Sequence, residues 1–254
     1  MKAKRTIFSL LYCDGFFCLS RNFSLQKVGN IDWLLKNFGF DTIANSADEL
    51  LIINVSRKPF KDCYDLEFEK VVESLIFKIR IPVTLGGQIR SIANARFLFE
   101  IGADKILLNS AAFTQPELVE EVACAYGSQA IMLQGDIDFS SNKHYVYNGV
   151  KYFGSGDDAI KTLLNLPAGE LCLNSIDRDG TGNGFPLEGI LACDFGTKPI
   201  IVSGGFGKTS HFKEVFEFPE ISAAATSNLL NFVGAGLKNV RKELRESGFL
   251  LTDW

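Results

Sequence analysis

Ile81-Pro82-Val83-Thr84-Leu85-Gly86-Gly87-Gln88 decides the fold once it is set beside Pro199-Ile200-Ile201-Val202-Ser203-Gly204-Gly205. Each is a short branched-apolar run entered through proline and left through paired glycines, the pattern of a buried strand that stops at a tight turn. Pro82, Gly87 and Ser110 meet Pro199, Gly204 and Ser227 at one constant offset of 117 positions. These matches fall before one predicted strand, just after it, and just after the next. Two half-barrels of four units each produce such a repeat. Earlier in the halves the offset is 125, which sets Leu11 against Asp136 and Asn54 against Asp179, and places eight extra residues within Arg57 to Tyr64.

Outward from these runs, six further segments have the same character: Arg5 to Leu11, Glu49 to Val55, Lys105 to Asn109, Ala130 to Gly135, Glu170 to Ser175 and Ser222 to Thr226. Apolar residues at i, i+3 and i+4 predict helices over Asp32 to Asn45, Asp65 to Lys78, Ser91 to Glu100, Gln115 to Tyr126, Asp157 to Leu166, Thr209 to Phe216 and Gly236 to Glu246. Strand and helix alternating eight times predict an α/β fold, a closed (β/α)8 TIM barrel built from a half-barrel repeat. A doubly wound sheet is disfavoured because no Gly-x-Gly-x-x-Gly turn follows the first strand. Residues 1–254 read as one domain. Residues 138–156 break the rhythm and read as a hairpin on the catalytic rim, either covering a substrate or decorating the surface.

A chain of 254 residues, 46% hydrophobic and 22% charged, has the balance of a packed globular protein and excludes disordered, collagen-like and coiled-coil classes. A net charge of −4 with no basic patch argues against nucleic-acid or membrane-surface binding. No apolar run is long enough to cross a bilayer, and the start lacks the pattern of a signal peptide, so a cytoplasmic location is expected. The six cysteines form no Cys-x-x-Cys pair, and neither His144 nor His211 has a ligand partner nearby in sequence. No metal site and no cofactor is expected, and both histidines read as solvated surface.

Chemistry is expected in the turns that follow the strands. Gly86-Gly87-Gln88, Asn109-Ser110, Asp179-Gly180, Gly204-Gly205 and Thr226-Ser227 combine glycine or hydroxyl with a helix start, which favours phosphate. Equivalent sets in both halves point to a ligand carrying a phosphate at each end. Asp136 closes the fifth strand, where a carboxylate either moves protons or caps a turn; its counterpart Leu11 cannot do proton chemistry. Arg5, Glu49, Lys105 and Glu170 stand at strand starts, where charges ordinarily face solvent. Turned inward, two positive and two negative groups would pair into a ring.

Taken with Ala3-Lys4-Arg5, Ala47-Asp48-Glu49-Leu50, Gly102-Ala103-Asp104-Lys105 and Asp177-Arg178-Asp179-Gly180-Thr181, these residues resemble the cyclase subunit family of imidazole glycerol phosphate synthase across nearly the whole chain. The resemblance implies phosphate contacts for Gly87, Gln88, Asn109, Ser110, Asp179, Gly180, Gly204, Gly205, Thr226 and Ser227, with Gln88 in place of a usual glycine. It implies an ammonia gate at Arg5, Glu49, Lys105 and Glu170, which reverses the solvent-facing reading, and a glutaminase-docking role for Asp104. It also implies that Asp136 is one member of an acid-base pair whose other member is replaced by Leu11, while Leu19 replaces a lysine and Asn54 an aspartate. Losing one carboxylate of such a pair costs about 10²-fold or more in rate.

The chain therefore resembles divergent members of the family found with surface-polysaccharide and nonulosonate gene sets. For these the expected role is an ammonia-accepting barrel that works with a glutaminase and a third, sugar-amidinating protein. An authentic histidine-pathway cyclase, with Asp14 as a repositioned acid, and a non-catalytic barrel that only activates the glutaminase are the alternatives.

Overall fold

Residues 3–37, 46–56, 66–191, 193–227 and 236–252 are described in the computed structural model. The first strand, β1 (Arg5–Cys13), turns through Asp14-Gly15 into an antiparallel hairpin, β2 (Phe16–Arg21) and β3 (Ser24–Gly29), followed by helix α1 (Ile31–Asn37). Next come β4 (Glu49–Asn54), α2 (Leu66–Ile76), β5 (Val83–Gly86), α3 (Ile92–Glu100) and β6 (Lys105–Leu108). The chain continues through α4 (Ser110–Thr114), α5 (Pro116–Tyr126) and β7 (Ile131–Asp138). A second antiparallel hairpin, β8 (Lys143–Val146) and β9 (Lys151–Ser155), leads to α6 (Gly156–Asn165) and β10 (Glu170–Ser175). After a single 3-10 turn come β11 (Ile200–Ser203), α7 (Thr209–Phe216), β12 (Ile221–Thr226) and α8 (Gly236–Glu246).

Strands β1, β4, β5, β6, β7, β10, β11 and β12 pair in parallel, and β12 returns to β1 with Ala223 beside Arg5. The sheet is thus the closed (β/α)8 barrel that the strand-helix alternation predicts. The eight-residue excess expected within 57–64 lies outside the described residues. Strand β7 runs past Gly135 to Asp138 because its end pairs with β8. The hairpin on β1 is an addition to the expected plan. Cys13 and Asp138, the last residues of β1 and β7, stand 125 positions apart, so both halves send out a hairpin at the same point.

Both faces of each barrel strand are buried, which is why the strands read as continuous apolar runs. Leu50, Ile52, Ile106, Leu171 and Val202 face outward onto the helices with Phe68, Val72, Val119, Leu163 and Phe212. Each such side chain contributes about 1.5–3 kcal/mol on burial. Inward-facing positions recur every second residue and build layers. Arg5, Glu49, Lys105 and Glu170 form the lowest layer; Ile7, Leu51, Leu107, Met132, Cys172, Ile201 and Ala223 pack above them. Gln134, Asn174, Ser203, Leu11 and Asp136 come higher, nearer the open end.

Asp48, one residue before Glu49, points the other way and is fully buried. It accepts from Thr6 N–H (2.7 Å) and Thr6 Oγ1 (2.9 Å), pairs with Arg241 of α8, and accepts from Thr252 Oγ1. Arg241 also donates to Thr252 O at 2.6 Å, so one carboxylate fastens both chain ends to β4.

Neither histidine is solvated surface, contrary to the sequence reading. Alternation along Lys143-His144-Tyr145-Val146 turns His144 inward, where it is 1% exposed with its ring 4.0 Å from Phe113. His211 is half-buried, and its Nδ1 accepts from Gly207 N–H at 3.2 Å. Burial pushes the His144 pKa down to about 4. An unfolded histidine titrates near 6.5, so between about 4 and 6.5 the unfolded chain holds the extra proton and stability falls as pH falls. His144→Phe is expected to flatten that acid limb, read as the slope of melting temperature against pH from 7 to 4; an unchanged slope would refute the assignment.

Candidate functional site

The open end of the barrel carries two recesses. Gly87 closes the turn after β5 with φ +93°, and a Cβ there would stand 2.0 Å from Asn54 O, so only glycine lets this turn press against the end of β4. Gly204, its counterpart after β11, has φ +98° and abuts Ser175 O in the same way. Around the first turn lies a cavity of about 770 Å³ whose lining includes Gly87, Gln88, Asn109, Ser110, Asp136 and Asn174. Around the second lies a recess of about 230 Å³ lined by Gly180, Gly204, Gly205 and Thr226, among others. Ser20, Asp179, Ser203 and Ser227 line both. The ten turn residues singled out from the sequence therefore meet in two adjoining recesses.

Both hairpins reach across this groove. Ser20 Oγ of β2 donates to Asp179 Oδ2 at 2.5 Å, Phe23 N–H donates to the same oxygen at 3.1 Å, and Asn22 N–H donates to Asp179 O at 3.0 Å. On the other side Tyr147 N–H donates to Ser110 Oγ at 2.8 Å and Asn148 Nδ2 to Val55 O at 3.3 Å. Burial raises the Asp179 pKa, against the pull of its bonds from Ser20 and Phe23.

Asp136 is 1% exposed and accepts from Asn109 Nδ2 (2.7 Å), Gln134 Nε2 (2.9 Å) and Asn174 Nδ2 (2.9 Å). Burial raises its pKa, and the three amide bonds work in the opposite direction. Leu11 lines the same cavity from β1, and Leu19 lines the smaller recess. Asp14 sits exposed in the β1–β2 turn and does not line either recess, so it is not placed to replace the carboxylate absent at Leu11.

At the opposite end the strand-start charges turn inward. Arg5 pairs with both Glu49 and Glu170 and also donates to Ser222 Oγ at 3.2 Å. Lys105 Nζ lies 2.6 Å from Glu170 and 3.9 Å from Glu49. Burial works against the Arg5 charge, yet the two glutamates outweigh it and raise its pKa; burial likewise opposes the Glu170 charge, but Arg5 and Lys105 hold that carboxyl below its ordinary value. Paired charges persist where lone ones would not. Leu51 and Leu107, which line the large cavity, stand two residues beyond Glu49 and Lys105, so one apolar layer separates ring from groove. Asp104 is exposed beside Lys105, and its Oδ2 accepts from Val83 N–H at 2.8 Å.

Gln134, Asn174 and Ser20 are site residues that the sequence reading missed. Gln134 and Asn174 were detectable as polar residues at inward positions of otherwise apolar strands, in step with Asp136 by the period of two. Among the described residues, no three His, Cys, Asp or Glu side chains gather as metal ligands, and no helix is long and apolar enough to cross a membrane.

Residues 44–231 match the histidine biosynthesis protein family. A protein of Parasynechococcus marenigrum (strain WH8102), named "Putative imidazole glycerol phosphate synthase subunit hisF2", is 43% identical over 100% of this chain and 95% of its own length. The imidazole glycerol phosphate synthase subunit HisF of Bacillus cereus (strain AH187) is 35% identical over 97% of this chain and 98% of its own. The corresponding subunit of Francisella philomiragia is 31% identical over 78% of this chain and 79% of its own.

Proposed function

Because this chain belongs to the histidine biosynthesis protein family and is HisF-like along its full length, we propose that it is the ammonia-accepting barrel subunit of a cytoplasmic glutamine amidotransferase complex, passing ammonia onward to amidinate a surface-polysaccharide sugar. The observation that carries this reading is the ring of Arg5, Glu49, Lys105 and Glu170, fully paired inside the strand-start end of the barrel. A glutaminase docked on that face, with Asp104 at its edge, releases uncharged NH3 below the ring. Ring partners shift aside without losing every counter-charge, because each glutamate faces two cations. The apolar layer of Ile7, Leu51, Leu107 and Met132 then favours neutral NH3 over an ion.

At the open end Asp136 is the strand-end carboxylate placed for proton transfer, with Leu11 lining the same cavity, while the other cavity carboxylate, Asp179, is held by Ser20 and Phe23 of the β1 hairpin. One carboxylate serves as acid or base at a given moment and cannot supply both partners of a ring closure, so delivery to a third protein accounts for the residues better than cyclisation. The second reading, a cyclase in its own right, is favoured by the two recesses, which suit a ligand phosphorylated at both ends, held by Gly87, Gln88, Asn109 and Ser110 at one and by Asp179, Gly180, Gly204, Gly205, Thr226 and Ser227 at the other.

The test is the chain purified with its glutaminase and given the bisphosphorylated ribulosyl substrate plus either glutamine or ammonium salt. The expected result is stimulated glutamine hydrolysis with ring closure at least about 10²-fold below that of the Leu11→Asp variant. Efficient turnover of the unaltered chain with both nitrogen sources would establish the cyclase instead. Stimulated hydrolysis with no ammonia reaching the open end would leave only the scaffold.

A further inference from the structure

Three carboxamides from three different strands or strand ends spend N–H bonds on one carboxylate. Asn109 follows β6, Gln134 lies on β7, and Asn174 of β10 is in direct register with Asp136. An amide is planar, so an N–H aimed at Asp136 turns the carbonyl of the same group away from it. All four residues line the large cavity, and Asn109 Oδ1 is buried there with no partner. A buried carbonyl left unpaired destabilises the site, and a ligand with a proton to donate would relieve it.

The carboxylate itself has capacity left. Gln134 and Asn174 both bond to Oδ1, whereas Oδ2 takes Asn109 alone. An ionised carboxylate offers about four acceptor positions, so one on Oδ2 is open. Among the described residues no Lys, Arg or His bonds to Asp136, and Asp179 adds a second negative charge nearby. Two carboxylates, Asp136 and Asp179, thus line the groove, and Arg90, the guanidinium lining the same cavity, donates to Gln88 Oε1 at 3.1 Å rather than to either of them. The first polar groups of the groove lie directly above the apolar layer of Met132 and Cys172.

We infer that Asp136, Asn109, Gln134 and Asn174 form a binding site for a small protonated nitrogen, ammonium or a primary ammonium group. The cation neutralises the buried carboxylate, and its N–H groups satisfy Oδ2 of Asp136 and Oδ1 of Asn109. The inference rests on the function proposed above only for the origin of the nitrogen, which crosses the apolar layer from the ring as NH3 and becomes ammonium by taking up a proton from solvent at the open end. Gln134 and Asn174 act as positioning residues, aiming Asp136 rather than touching a reacting atom.

The full chain, without any partner, is melted at pH 7 in ammonium, potassium and tetramethylammonium chloride at equal ionic strength. Ammonium is expected to raise Tm saturably, by about 3–6 °C at ten times its Kd, beyond either other salt. Potassium, which matches ammonium in size and lacks N–H groups, separates hydrogen-bonded recognition from charge alone. Asp136→Asn is expected to abolish the ammonium-specific shift, and Gln134→Leu and Asn174→Leu to shrink it; the two leucine variants carry the test if Asp136→Asn does not fold. Equal shifts in potassium and ammonium, no shift at all, or a shift that survives the substitutions would overturn the site. Because no glutaminase is present, loss of the ammonium effect leaves ammonia delivery standing, whereas failure of glutamine coupling with the effect intact rejects delivery and spares the site.

Discussion

Asp48→Ala is expected to lower the unfolding free energy by about 3–5 kcal/mol, the usual consequence of removing one partner from a buried ion pair. The substitution leaves the Arg241 guanidinium without its carboxylate and takes the acceptor from Thr6 N–H, Thr6 Oγ1 and Thr252 Oγ1 together. Urea unfolding followed by circular dichroism measures the change, provided that the m-value is unaltered. Replacing both partners, as Asp48→Leu with Arg241→Met, is expected to recover much of the loss, because no uncompensated charge then stays buried. A loss below about 1 kcal/mol in the single variant, the range of exposed pairs, would show that water replaces the carboxylate.

Lys105→Ala is expected to uncouple glutamine hydrolysis from nitrogen transfer. Its ammonium links Glu170 and Glu49, and without it both carboxylates depend on Arg5 alone. With the glutaminase bound, glutamine-dependent transfer of nitrogen to the acceptor is expected to fall about tenfold, roughly 1.4 kcal/mol on the coupled rate. Glutamine hydrolysis persists, and the missing nitrogen appears as free ammonia in solution. Supplying ammonium salt at the open end restores the product. Coupling equal to that of the unaltered complex would remove the ring from the ammonia route.

Much of the barrel was legible because its evidence is periodic. Parallel strands buried on both faces must read as apolar runs, and the glycine turns at Gly87 and Gly204 mark where each must stop. Whether Arg5, Glu49, Lys105 and Glu170 point to water or to the axis was not legible from the residues alone, since a strand-start charge satisfies either environment until its partners are placed. The β1 hairpin was written in Asp14-Gly15, a dipeptide suited to a two-residue turn with both φ values positive, as both are here. The strands on either side carry no matching signal, because Phe16 to Gly29 has no steady alternation. The burial of His144 was not legible for a related reason: four residues of alternation are too few to outweigh the polar turn beside them. The cluster around Asp136 stayed hidden because its members are separated in sequence and meet only when β6, β7 and β10 are neighbours.

The two hairpins clasp crosswise. The one grown from the first half grips Asp179 in the second, and the one grown from the second grips Ser110 and Val55 in the first. A half-barrel made alone would hold out an arm with nothing to take hold of, and covering of the groove would appear only when two halves joined. Doubling of an ancestral unit would thus have created, at a single stroke, a roof that neither copy possessed.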